Sequence, residues 1–375
     1  MPARSRDRVL DRRALNRALL ERHLLLRRRR IAVPDALERL VGLQSQVPRD
    51  PYVALWSRLD RFGSSALAEP MADRRALRMT LLRGTLHTVT GRDALALYPA
   101  VRPAIDRVQH VSSPLRSAIG SVDRDELVSA IRTLLGERAR TRADLAKALA
   151  ERWPDRDASS LAFAMYLVPI VQVTPRGIWG QSGSPAFTTL EAWLGRPVDG
   201  TGDTGALLLR YLATFGPATV ADAQAWSGLR GLRAAFEELR PRLRTFRDER
   251  GRELLDVPDG ALPDPGVPAP VRFLPEYDNV ALGHKDRGRI IPEGVVQWTE
   301  VGWGGVLVDG FAAARWRLRA QDGRATLRIE PFGRLRREDR AAVSEEGERL
   351  AAFLAPEAER RDVRFGAFDP GTARR

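Results

Sequence analysis

The sequence predicts an α+β chain in which three tandem winged-helix motifs precede a C-terminal small β-barrel-like domain. Three observations carry that expectation. A pattern of helix, short turn, two helices and β-hairpin recurs three times. A proline-rich stretch, "DGALPDPGVPAPVR", then interrupts the chain, and beyond it the residues turn β-branched and aromatic. The expected units are residues 1–110, 111–200, 201–262 and 270–375, since 375 residues exceed what one small core needs.

In the first unit "LDRRALNRALLERHLLL" supplies a helix, and "VPDALERLVGLQ" a second with Pro34 in its first turn. "PYVALWSRLDRF" supplies a third, with Tyr52, Leu55, Trp56 and Leu59 on one face. "RMTLLRGTLHTVT" alternates like a strand or wing, and "GRDALALYPAVRPAIDRVQ" reads as a connecting helix. The second unit opens at "SVDRDELVSAIRTLLGE", where Asp123 and Glu126 have capping-box spacing, and continues with "TRADLAKALAER" behind Thr141 as N-cap. "SSLAFAMYLVPIVQV" passes from helix into strand, and "TPRGIWGQSG" is expected to hold a turn and return strand.

The third unit is the clearest. "TGALLLRYLATF" is a helix stopped by Gly-Pro, a second helix is capped by Thr219, and a turn at Gly228 leads to a third from Leu229 to about Leu239. "RLRTFRDERGRELLDVP" then reads as two strands around a polar turn. In the C-terminal domain, Asp309-Gly310 and Asp322-Gly323 are hairpin turns, with a closing helix at "REDRAAVSEEGERLAAFLA" and a short strand at "DVRFG". Helix–turn–helix followed by a hairpin commonly places its third helix in a DNA groove.

Composition narrows the partner. The net charge is +13, and Lys147 and Lys285 are the only lysines, so the excess is arginine. A coding bias toward Ala and Arg does not by itself unbalance Arg against Asp and Glu. The surplus therefore favours a polyanion, nucleic acid above all. With no cysteine, disulfides, thiolate metal sites and a cysteine nucleophile are excluded. His23, His87, His110 and His284 form no metal-ligand spacing, so neither a metal nor a cofactor is expected. No apolar run has membrane-spanning length and "MPARSRDRVLDRR" is unlike a signal peptide, which suggests a cytoplasmic, nucleoid-associated protein, expected to be a monomer. GxxxxGK[ST], a strand-to-helix GxGxxG and GxSxG do not occur.

One stretch stands out. In "VGLQSQVPRDP" Gln44 falls on the apolar stripe of Leu37, Leu40 and Val41, where a core residue is expected. Gly42 weakens the helix and Pro48 disfavours helical Val47, so the helix should end near Leu43. The extended stretch that follows would aim Gln44 and Gln46 the same way, since residues two apart share a face. Two readings of the pair remain, a helix end whose amides bind free carbonyls or a functional pair.

Four segments, "LVGLQSQVPRDPYVALWSRLDRF", "LRGTLHTVT", "FLPEYDNVALGHKDRGRI" and "GVLVDGFAAARW", together resemble the winged-helix DNA glycosylases of the AlkZ/YcaQ type, in order and over essentially the whole chain. The resemblance implies a clasp of three winged-helix motifs and a β-domain around duplex DNA. It implies excision of bulky N7-alkylguanines, unhooking of crosslinks, and a role in DNA repair or self-resistance. Gln44, Ser45 and Gln46 match the Gln/Gln version of that family's motif, with Ser where Ala is common. By that carry-over Gln44 and Gln46 hold the hydrolytic water at C1′. Arg83, Thr85 and His87 fall on a strand that faces DNA in the family. Asp278, Asn279, His284, Arg287 and Arg289 match a second motif of unassigned role, grouped here with the DNA-facing positions. His87 reads equally as a core histidine, and the tryptophans as packing residues. The competing expectation is a winged-helix regulator that binds DNA without catalysis.

Overall fold

The computed structural model describes residues 8–111, 122–198, 200–295, 298 and 301–368. The expected strand character of "VVQWTE" rests mostly on residues outside that set, as do the opening residues of the second unit. The chain begins with β1 (Val9–Leu10), α1 (Arg12–Arg22), α2 (Val33–Arg39), β2 (Leu43–Gln44), α3 (Asp50–Arg58) and α4 (Ser65–Ala72). The hairpin β3 (Ala76–Thr80) and β4 (Leu86–Thr90) turns at Leu82–Gly84 and leads into α5 (Gly91–Val111). Then come α6 (Arg124–Glu137), β5 (Arg140–Thr141), α7 (Arg142–Arg152), α8 (Ala158–Leu161), β6 (Ile170–Gln172), β7 (Ala186–Thr189) and α9 (Leu190–Leu194). The third segment holds α10 (Thr204–Phe215), α11 (Val220–Ser227), α12 (Arg233–Leu239), β8 (Arg244–Asp248) and β9 (Glu253–Asp256). The last holds β10 (Arg272–Leu274), α13 (Asn279–Leu282), β11 (Gly304–Val308), β12 (Phe311–Gln321), β13 (Arg324–Pro331), α14 (Arg337–Leu354) and β14 (Arg360–Phe365).

Local chemistry explains most of these boundaries. Asp123, Thr141, Asp203 and Thr219 each accept a backbone N–H at a helix start, and Thr141 and Thr219 complete reciprocal capping boxes with Asp144 and Asp222. Three boundaries differ from expectation. The second helix ends at Arg39 rather than near Leu43, and the helix after Gly228 begins at Arg233. The return strand expected in "TPRGIWGQSG" forms later, at β7, after a loop whose Gly177 and Gly180 have left-handed φ.

Two departures are architectural. The strands of the first two helical segments are not separate wings. They join in one six-stranded sheet ordered β2-β4-β3-β6-β7-β5, with Arg78 and Met79 of β3 opposite Gln172 and Val171 of β6. The C-terminal sheet, β10-β11-β12-β13-β14, is open rather than barrel-like, because its terminal strands β10 and β14 do not pair. The long amphipathic helix α14 covers one face with its apolar side instead of a closing strand. Alternating sequence cannot distinguish these outcomes, since both bury one face.

The largest core joins Leu77, Met79 and Val89 of the shared sheet to α5, α10 and α11. Helix α1 links the chain's two ends. Asn16 Nδ2 donates to Gly310 O (2.7 Å) and Arg289 O (2.8 Å), while Arg13 and Arg17 pair with Asp309 at the β11–β12 turn. These ties bring the motif after α2 against the motif after β10.

Candidate active site

The chain reverses sharply before the glutamines. Beyond α2 the Val41 and Gly42 N–H groups donate back to Glu38 O (3.2 Å) and Leu37 O (2.8 Å), closing the helix end. Both residues are left-handed, Val41 at φ 54° and Gly42 at φ 81°. Gly42 is required, since a Cβ there would lie 2.6 Å from Val89 Cγ1. Val41 is β-branched, so its conformation stores strain of roughly 1–3 kcal/mol. Its buried side chain and one outside clamp hold it there. The clamp is Asn279, whose Nδ2 donates to Leu40 O (3.1 Å) and Gly42 O (2.8 Å).

From this reversal β2 pairs antiparallel with β4, placing Gln44 opposite His87. Gln44 is buried and its Oε1 accepts Arg83 Nη2 at 2.8 Å. Gln46 is exposed and its Oε1 accepts Leu86 N at 2.9 Å. The Ser45 carbonyl, the neighbouring ladder acceptor, instead receives Arg78 Nη2. Both carboxamides therefore hang on the β3–β4 hairpin by their oxygens. Because an N–H can donate only to oxygen, this fixes which end of each amide is which. Neither NH2 group has a protein acceptor among the described residues. Gln46 borders a cavity of about 340 Å³ with Arg78, Thr80, Tyr166 and Arg176.

The side chain that orients Gln44 is itself held. Arg83 occupies the hairpin turn at φ 57°, and its Nη1 donates to Trp226 O on α11. Burial, then the nearby charge of Arg287, lowers its guanidinium to about 10, so it stays protonated at neutral pH. Burial, then Arg176, does the same to Arg78. Thr85 sits in the same turn, its hydroxyl donating to Leu82 O (3.0 Å).

The remaining expected positions lie mostly inside the protein. His87 is buried with Nδ1 2.9 Å from Thr85 O, and burial and Arg83 push it down to about 3. His284 packs near Tyr211 and Phe215, with Nε2 3.0 Å from Phe215 O, and burial and Arg289 lower it to about 3. Both rings are neutral at physiological pH. Asp278 accepts both Arg58 nitrogens (2.7 and 2.8 Å) in a fully buried fork, and Arg289 donates to Pro217 O (3.1 Å). Only Arg287 of that set is exposed.

Two groups escaped sequence reasoning. Arg78 looked like one residue of an alternating strand. Asp50, four residues beyond Gln46, looked like an ordinary first-turn acid on α3. It is buried, its Oδ2 has no partner, and burial, then Glu276, raises it to about 8. Its place between Arg49 and Pro51, directly after the glutamines, was the available signal. Among the described residues no cluster of three or more His, Cys, Asp or Glu side chains could hold a metal ion, and no helix is long and apolar enough to cross a membrane.

Two carboxamides are thus held through their oxygens on the β3–β4 hairpin, Gln44 buried against Arg83 and Gln46 open to the cavity that Arg78 and Arg176 also line. The chain belongs to the AlkZ-like DNA glycosylase family, whose model matches residues 37–353, from within α2 to the end of α14. It is a DNA glycosylase, a hydrolase of DNA repair. Among solved structures it is similar to the Streptomyces sahachiroi DNA glycosylase AlkZ, at a TM-score of 0.70 and 19% identity, covering 96% of this chain and 100% of that one. At that identity the likeness is one of fold. No curated protein matches.

Proposed function

We propose that this glycosylase is monofunctional and releases guanines alkylated at N7, bulky adducts and crosslinked bases included, with Gln44 and Gln46 positioning the attacking water. The observation that carries the reading is the pair of amides pinned through their oxygens to Arg83 and Leu86. Their NH2 groups and remaining oxygen lone pairs are left to orient one water. N7 alkylation gives guanine a positive charge, so the base departs readily and C1′ becomes oxocarbenium-like. A well-placed water then needs orientation more than deprotonation. Unmodified guanine leaves poorly and is spared. Neither lysine borders the Gln46 cavity, which leaves no amine there for a Schiff base.

The three helical segments act in this proposal as winged-helix modules, with the units 1–110, 111–200, 201–262 and 270–375, on double-stranded DNA bound by a monomer. In this reading the DNA-binding groove runs past Arg83, Thr85 and Arg287. Buried His87, Asp278, Asn279, His284 and Arg289 support it from behind. The test uses a duplex with one defined N7-alkylguanine, followed by hot alkali to cut at abasic sites. Strand breaks should appear with the wild type and vanish in a Gln44→Ala/Gln46→Ala double variant. Undiminished breakage by that variant would refute the mechanism, and binding without any base release would favour the regulator.

A further inference from the structure

The five-stranded sheet has one apolar face and one arginine face. Along β12, Trp316 and Leu318 turn toward α14, so Arg315, Arg317 and Arg319 turn away from it. Strand register then sets arginine beside arginine. Arg317, Arg328 and Arg364 stand abreast on three neighbouring strands, and Arg324 stands beside Arg360. Strands lie about 4.8 Å apart, so such rows repel and cost stability.

Little on the sheet offsets that repulsion. Glu330 and Asp362 are the carboxylates on this face, and both are committed, Glu330 to Arg315 and Arg328 and Asp362 to Arg364. Arg319, Arg324 and Arg360 are exposed and have no ion pair among the described residues. Arg317 lies over the Trp303 ring at 4.3 Å, with its Nε buried and unpartnered. A concavity of about 320 Å³ opens among Arg317, Arg319, Arg328 and Arg364. Charge that blunts a free sheet edge accounts for arginines on β14. It does not account for those on β12, the central strand.

We infer that this arginine face is a second DNA-contacting surface, which grips backbone phosphates and shares no residue with the cavity beside Gln46. Guanidinium forks match phosphate oxygens, and unpaired exposed arginines break no ion pair on binding. The inference rests on the chain acting on DNA, and not on the adduct or the amide mechanism.

The experiment measures binding of the full chain to an undamaged, fluorescently labelled duplex by anisotropy across a salt series. Three proteins are compared, the wild type, R319Q/R324Q/R360Q and R319K/R324K/R360K. Each lost phosphate contact should flatten the slope of log K against log salt by about 0.9, so the glutamine variant should lose about 2 to 3. The lysine variant keeps the charges and should keep the slope. A wild-type slope in the glutamine variant, or equal loss in both, overturns the inference. Undamaged DNA makes this readout independent of whether alkylguanine is released.

Discussion

Removing the Asn279 amide tests whether the second motif exists to hold the first. Asn279→Ala deletes two hydrogen bonds, 2.8 and 3.1 Å long, that cap the carbonyls of Gly42 and Leu40 inside the protein. Each orphaned buried acceptor costs about 1–3 kcal/mol, so the variant should lose roughly 2–6 kcal/mol. The strain at Val41 would then be less firmly held, and β2 would carry Gln44 and Gln46 out of register. A displacement of about 1 Å can lower a rate about a hundredfold. Urea unfolding reads the stability, and single-turnover excision with excess enzyme reads the chemistry. Asn279→Asp sharpens the test, because a carboxylate would face two carbonyl oxygens with no proton to offer. Its folded pKa would lie above its unfolded value, so the deficit is full at high pH and shrinks as pH falls through the folded pKa. Stability within about 0.5 kcal/mol of wild type for Asn279→Ala would refute the clamp. Wild-type excision by a destabilised variant would refute its link to the site.

Gln46→Asp keeps an acceptor for Leu86 N and adds a base, so release of N7-methylguanine should rise, by up to about a hundredfold if general-base catalysis is realised. A large fall in the folded variant would count against water activation there. Arg83→Met removes the donor that orients Gln44, and loss of a charged hydrogen bond worth about 1.5–3 kcal/mol should slow single-turnover excision about 10- to 100-fold. An unchanged rate would show that Gln44 needs no orienting partner. Asp50→Asn addresses pH: the buried carboxyl is raised from 3.8 to about 8, so its protonated form contributes stability that is complete below 3.8 and lost as pH rises through about 8. The unfolding midpoint of the wild type, relative to Asp50→Asn, should decline across that window. A constant difference would refute the assignment. His87 and His284, held near 3 in the fold against 6.5 as free side chains, destabilise both proteins alike as pH falls below about 6.5 and so cancel from that difference.

What could be read from the sequence was what local chemistry decides. Asp309-Gly310 and Asp322-Gly323 form hairpin turns because both residues of each pair adopt positive φ, a requirement visible in the dipeptide itself. Thr141 and Thr219 announce helix starts by spacing alone. The glutamines were legible because an amide interrupts an apolar stripe. The task of Asn279 was not, because its partner Gly42 lies 237 residues away and nothing near either residue encodes the meeting. The same reason hid the pairing of β3 with β6 and the openness of the last sheet. The burial of His284 depends on Tyr211 and Phe215, which belong to another segment. The raised Asp50 follows from its burial and then from Glu276, which lies 226 positions along the chain from it.

The seam between β3 and β6 has a consequence for how the molecule comes apart. Severed anywhere between α5 and α6, each fragment would be left with a bare strand whose amides and carbonyls had lost their match. A protease cut there should yield a nicked pair that travels as one body through a sizing column. Prepared apart, the fragments should clump unless they are mixed while refolding. A joint held by paired strands cannot serve as a hinge, which makes the sheet behind the glutamines a rigid part of the molecule.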